Sequence, residues 1–196
     1  MSLAIVYTRA ALGIEAPLIT VEVHLSNGLP GLTMVGLPET TVKEARDRVR
    51  SALINSGYAF PAKKITINLA PADLPKEGGR YDLPIALALL VASEQLNTTR
   101  LNQYEFVGEL ALTGGLRGVP GAIPSAMEAI KAGRRIVVSS DNAAEVGLIG
   151  GSDCLVADHL QEVCAFLAGQ TSLSPPLAEA PTVDERGEDL RDVIVQ

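Results

Sequence analysis

The segment ITINLAPADLPKEGGRYDLPIALALLVA, residues 65–92, decides the fold because it predicts a strand, a loop and a helix in succession. Apolar and polar residues alternate over 65–69, as they do in a strand with one buried face. Residues 71–80 contain two prolines and two glycines, which indicates a loop. Asp82 is the predicted N-cap of a helix that continues to about Glu94 and is apolar nearly all round. Such a helix is buried on several sides, so this segment lies at the centre of a folded domain.

The residues before this segment predict further strands and one helix. Residues 19–26 alternate apolar and polar side chains, and His24 falls on the polar, exposed side. Shorter strands are predicted over 3–7 and 32–35. A helix is predicted over 41–56, where Thr41 and Glu44 have the spacing of a capping box. Three basic residues lie off the apolar stripe of that helix: Arg46, Arg48 and Arg50.

The second half of the sequence continues to alternate strands and helices. Strands are predicted over 104–112, 135–139 and 154–157, and helices over 123–132 and 160–168. The elements together predict an α+β fold, a mixed sheet with packed helices, in one domain over residues 1–169. Residues 170–196 are predicted to be an acidic, proline-containing linker that leads to a further domain.

Charge and hydropathy limit the classes of function. The net charge is −7, of which residues 171–196 carry −4 and the rest of the chain only −3. A generally basic protein is excluded, but a local basic patch remains compatible. No apolar run approaches the ~20 residues that span a bilayer, and the N-terminus is not a secretory signal. Cys154 and Cys164 lack a metal-binding spacing, so we expect two reduced, buried thiols in a cytoplasmic protein.

Motifs for catalysis and for phosphate binding are missing from the sequence. It contains no GxxxxGK[ST] string for nucleotide phosphates and no GxSxG frame for a serine nucleophile. The loop before the central helix carries Lys76 and Arg80 at a helix N-terminus, which suits either a capped helix start or an anion or subunit contact. Other bases form loose groups that fit either solvated faces or a DNA-facing patch: Lys43, Arg46, Arg48 and Arg50; Lys63 and Lys64; and Lys131, Arg134 and Arg135.

Three strings resemble one protein family. They are VGLPETTVKEARDRVRSAL at 35–53, ITINLAPADLPKEGGRYDLPIAL at 65–87 and GELALTG at 108–114. Together they resemble the N-terminal domain of the magnesium-chelatase-like AAA+ proteins, the ComM/YifB family. The resemblance covers residues 1–169, and the two longer strings are highly specific.

The resemblance implies a Lon-protease-like fold, of the ribosomal-protein-S5-domain-2 type, without the Lon catalytic dyad. Active Lon domains use a serine and a lysine, and the matching positions in this sequence are Arg80 and Ile123. An arginine is not an acyl nucleophile and an isoleucine cannot accept a proton. We therefore expect no catalytic residue in this segment.

The resemblance also implies a function. Family members are similar to hexameric, ATP-driven motors on DNA, linked to natural transformation and branch migration. This segment is then a non-catalytic module that aids hexamer assembly or DNA engagement, with no membrane partner and no cofactor of its own. ATP and magnesium are expected in the AAA+ domain of the same full-length chain. The candidate contacts with DNA or a neighbouring subunit are Lys63, Lys64, Lys76 and Arg80.

Two alternatives stay open. A divergent serine hydrolase of the Lon fold would use a serine that the alignment misplaces. A chelatase-type adaptor would bind a protein partner without any role on DNA. A nucleotide-binding string encoded just beyond Gln196 would favour the AAA+ interpretation over a free-standing module.

Overall fold

The computed structural model describes residues 2–149 and 151–177, and these form nine strands and six α-helices. The strands are β1 (Leu3–Arg9), β2 (Leu18–Ser26), β3 (Gly31–Val35), β4 (Lys64–Ala70), β5 (Tyr104–Phe106), β6 (Glu109–Leu110), β7 (Leu116–Arg117), β8 (Arg135–Ser139) and β9 (Cys154–Ala157). The helices are α1 (Thr40–Lys43), α2 (Ala45–Asn55), α3 (Asp82–Ala92), α4 (Ala122–Lys131), α5 (Ala143–Val146) and α6 (Leu160–Leu167).

Seven of the strands form one mixed sheet in the order β3-β4-β2-β1-β5-β8-β9. The β4-β2-β1 neighbours are antiparallel, and the pairs at both ends of the sheet are parallel. Strands β6 and β7 form a separate antiparallel hairpin. The predicted mixed sheet with packed helices is confirmed, and it is the architecture expected of a Lon-like domain.

Two hydrophobic clusters lie on opposite faces of the sheet. The larger one joins the inner faces of β1, β2 and β4 to α2, α3 and α6, and α3 is buried along its whole length, as its all-round apolar sequence predicts. The smaller one lies beneath α4 and takes Ile136 and Val138 from β8, whereas Val137 faces the larger cluster. The outer face of β1 and β2 is partly open, and His24 is exposed there, as its place in the alternation predicts.

Local sequence patterns placed some helix and strand boundaries wrongly. The strand predicted over 104–112 is two strands, because Gly108 exchanges backbone hydrogen bonds with Arg80 and Leu83 and turns the chain towards α3. The helix predicted over 41–56 is split at Glu44 into α1 and α2.

The two predicted N-caps are also wrong. The Thr41 hydroxyl accepts the Gly78 N–H at 2.9 Å instead of capping its own helix. Asp82 is the first residue of α3, and the N-cap of that helix is Tyr81. The Asp82 carboxylate accepts hydrogen bonds from Arg48 and from the Leu110 N–H. In both cases the side chain forms hydrogen bonds with residues distant in sequence and not with the free N–H groups of its own helix.

The C-terminal end of the described chain runs along the sheet. The Val156 N–H donates to the Ser174 carbonyl at 3.0 Å, and Leu173 packs against the larger cluster. Within the predicted linker, Ser174 therefore lies against β9 and Leu173 against the core. The remainder of that linker, 178–196, lies outside the described residues.

Two predictions from composition concern the cysteines and membrane helices. Cys154 and Cys164 are free and buried, as predicted, and burial raises the pKa of the Cys164 thiol to about 11. Over residues 2–149 and 151–177, no helix combines the length and the apolar character needed to cross a bilayer.

Candidate functional site

Arg80, at the position that the resemblance gives to the Lon serine, is buried and donates a hydrogen bond from each of its three guanidinium nitrogens. It is only 4% exposed. Its Nε donates to the Arg9 carbonyl, its Nη1 to the Pro120 carbonyl and its Nη2 to Ser125 Oγ, each at 2.8 Å. Ser125 lies in the first turns of α4, the helix that also carries Ile123. The guanidinium thus joins the loop before α3 to α4, the helix that also carries Ile123.

The Arg80–Ser125 contact does not make a nucleophile. Ser125 is completely buried, and its hydroxyl accepts a hydrogen bond from Arg80. A guanidinium stays protonated in proteins, so it donates to the hydroxyl and cannot remove its proton. The contact instead holds α4 against the end of β1 and the loop before α3.

Lys76 is enclosed by the segment that follows β3. Its side chain is 0% exposed, and its ammonium donates to the Gly36 carbonyl at 2.5 Å and to the Pro71 carbonyl. The Lys76 backbone bonds Leu37 and Glu39 as well. Burial lowers the pKa of this lysine. Its role is to join the 71–77 loop to residues 36–39.

These positions correct the set of candidate contacts. Lys76 and Arg80 are closed off from solvent by the chain itself, so neither side chain is available to DNA or to a neighbouring subunit. Lys63 and Lys64 are exposed, and their contact with DNA stays a prediction. The two lysines do not share one surface: Lys64 begins β4 beside Gly28, whereas Lys63 lines a groove between β3 and α2.

The groove also contains two arginines of the first basic group and one aromatic residue that the sequence analysis did not name. Arg46 and Arg50 line it, although their spacing on a helix fitted solvated faces equally well. Phe60 lines it too, and sequence analysis did not single this residue out. The available signal was an aromatic residue three positions before a pair of lysines, in a chain with only three phenylalanines.

A buried carboxylate joins α2 to the start of α3. Asp82 is 0% exposed; its Oδ2 accepts from Arg48 Nε at 2.7 Å and from the Leu110 N–H at 3.1 Å. Burial raises the pKa of Asp82 to about 6, even though the hydrogen bond from Arg48 lowers it. The opposite charge compensates only part of the desolvation of the carboxylate.

The raised pKa of Asp82 predicts that acidification to about pH 5 strengthens its contribution to folding. The pKa of an aspartate in the unfolded chain is about 3.9. Between about pH 4 and pH 6, Asp82 is therefore mostly protonated in the folded state and mostly ionised in the unfolded state. This contribution is complete below the unfolded pKa and is lost as the pH rises through about 6. From about pH 7 to about pH 5 the free energy of unfolding should gain ~1 kcal/mol from this group.

Urea unfolding of the wild type and of Asp82→Asn at both pH values measures this contribution. The asparagine variant should lack the gain, because it has no proton to bind at this position. Equal pH dependence in the two proteins would show that water reaches the carboxylate in solution.

Metal ligation requires several donor side chains at one point. Over the described ranges, no three His, Cys, Asp or Glu side chains lie close enough together to hold one ion. The geometry offers buried polar clamps and one exposed basic groove.

Comparisons with known proteins give the family. The family model described as subunit ChlI of Mg-chelatase matches residues 21–142, more than half of the chain. YifB of Salmonella typhimurium is 74% identical over 196 residues, YifB of Escherichia coli 72%, and competence protein ComM of Haemophilus influenzae 55% over 201 residues. All of this chain is covered but only 39–40% of each relative, so the chain spans about two fifths of the length of these curated relatives. The resemblance drawn from the three strings is confirmed, and the chain belongs to the family of subunit ChlI of Mg-chelatase.

Proposed function

We propose that this chain is a non-catalytic module of a Mg-chelatase-like AAA+ protein and that it helps that protein to engage DNA. The observation that carries the proposal is the burial of Arg80, which the resemblance aligns with the Lon serine and whose guanidinium binds two carbonyls and a hydroxyl. The exposed Lys63 and Lys64 support the DNA contact. The name of one relative, competence protein ComM, supports a role in transformation.

In this proposal, ATP hydrolysis takes place in another part of the longer protein. The sequence has no GxxxxGK[ST] string, so none of its residues is assigned to ATP or magnesium. ATP and magnesium would bind the AAA+ part of a longer chain, and that part would form the homohexamer in the cytoplasm. The module described here would then give the motor a DNA contact or a surface for assembly.

We expect Lys63→Ala/Lys64→Ala to weaken DNA binding by the longer protein that carries this segment. Each lysine–phosphate contact that is lost reduces the slope of log K against log salt by ~0.9 on duplex DNA, so the double variant should lose about 2 from that slope. Fluorescence anisotropy over a salt series measures it. The control is Arg117→Ala/Lys131→Ala, which makes the same change in charge as the Lys63/Lys64 variant at two other exposed positions. Wild-type binding and slope in the Lys63/Lys64 variant would remove this contact from the proposal.

A serine-reactive phosphonate probe tests the non-catalytic assignment. We expect no serine of the 196-residue chain to be labelled, because the sequence has no GxSxG frame and the guanidinium beside Ser125 cannot act as a base. Mass spectrometry of the treated protein, with an active serine hydrolase as positive control, gives the result. Selective labelling of a single serine would instead establish the hydrolase alternative.

A further inference from the structure

The groove between β3 and α2 gathers three basic side chains and no acidic one. It has a volume of about 310 Å³, and its polar wall is formed by Arg46, Arg50 and Lys63. Among the residues that the structure describes, neither arginine pairs with a carboxylate. Lys63 reaches Asn27 Oδ1 at 3.5 Å and lies within the electrostatic field of Glu94, so the arginines carry most of the uncompensated charge.

The spacing of the two arginines is unfavourable for the protein alone. Arg46 and Arg50 stand four residues apart on α2, where like charges repel each other and destabilise a helix. The nearby Glu44 carboxylate does not relieve this repulsion, since it pairs with Arg48. An anion in the groove would relieve it.

One of the arginines is held in place by an aromatic ring. The Arg50 guanidinium lies 5.2 Å from the centroid of Phe60, within the range of a cation–π interaction. Phe60 is half-buried and packs against the larger hydrophobic cluster, so its ring is a fixed support. The remaining wall of the groove is mainly apolar, with Leu32, Pro61 and Ile65.

We propose that this groove binds the phosphate backbone of a nucleic acid and that Phe60 is the positioning residue for Arg50. Guanidinium and ammonium groups around a concave, acid-free wall match the chemistry of a phosphodiester. The volume is at the lower end of ligand pockets, about 300–1,000 Å³, which suits one or two phosphodiester units. The inference rests on the proposed DNA role and gives that role a location. Lys64, on the other face of β4, is not part of the groove.

The experiment measures binding of a labelled oligonucleotide by the longer protein over a salt series. Arg50→Ala removes one phosphate contact and should reduce the salt slope by about 0.7–0.9. Phe60→Leu keeps the charge and should lower affinity about two- to fivefold with an unchanged slope, because only the support of the guanidinium is lost. Phe60→Tyr should restore the affinity. Arg117→Ala, a matched change on β7, should leave both quantities unchanged.

The outcomes separate this inference from the proposed function. If Arg50→Ala keeps the wild-type slope while Lys64→Ala, outside the groove, reduces it, the groove is not the phosphate site but the DNA role survives. If Phe60→Leu changes nothing, or Phe60→Tyr fails to restore affinity, the positioning role is wrong. Absence of oligonucleotide binding by the wild type overturns both proposals. Inorganic phosphate and a free nucleotide are the last probes: binding of these with none of the oligonucleotide also overturns the nucleic-acid assignment.

Discussion

Replacing Glu105 by alanine is expected to lower the free energy of unfolding by about 3–5 kcal/mol. Glu105 lies on β5 and is 0% exposed. Its two carboxylate oxygens accept from Arg9 at 2.7 Å each, and one also accepts from Arg134 at 3.1 Å. Without the carboxylate, the buried Arg9 guanidinium and the partly buried Arg134 guanidinium lose the acceptor that both bind. The cost is the desolvation of the charges left behind, which is larger than the net value of the ion pair itself.

Urea unfolding of three variants tests this expectation. Glu105→Gln keeps one carbonyl acceptor and should lose less than Glu105→Ala. Lys131→Ala breaks an exposed pair with Glu128 at i, i+3 and should leave the unfolding midpoint unchanged. A loss below about 1 kcal/mol for Glu105→Ala would mean that water enters and solvates the two arginines.

The buried network around Arg9 also shows what sequence patterns can predict. Period-two alternation located β2 and β4, and the all-round apolar run located α3, because these patterns report which face of an element is buried. They do not report which polar groups meet. Arg9 and Glu105 are 96 residues apart, and no local rule pairs them.

The four candidate contact residues also differ in how well the sequence predicts them. The sequence indicates Lys63 and Lys64 as candidate contacts, and the structure exposes both. It also indicates Lys76 and Arg80, which lie in the loop before α3. Arg80 is instead drawn inwards by carbonyls 71 and 40 residues away, and Lys76 by the carbonyl of Gly36. Only the tertiary structure supplies those acceptors, so charge and loop composition pointed the wrong way.

The largest effect of adding a single methyl group is expected at Gly36. Gly36 follows β3, has φ +102, and packs so closely on β4 that an added Cβ would lie 2.1 Å from the Leu69 carbonyl oxygen. Because the obstacle is the backbone of a central strand, no rotamer change relieves the clash, and the residue would also be in a left-handed conformation. Strain and overpacking together predict that Gly36→Ala lowers the free energy of unfolding by about 3–5 kcal/mol.

Gly133→Ala separates the two causes of that loss. Gly133 has φ +75 but nothing within 4 Å of an added Cβ, so only conformational strain of about 1–2 kcal/mol applies. Urea unfolding of both variants is followed by circular dichroism. The free energy of unfolding of Gly36→Ala should be lower than that of Gly133→Ala by at least about 2 kcal/mol. If the Gly36→Ala variant does not fold, the substitution costs more than the wild-type free energy of unfolding, which agrees with the expected direction. Equal losses in the two variants would show that β3 moves away from β4 at little cost, and that the buried contact between Lys76 and Gly36 does not hold this edge of the sheet.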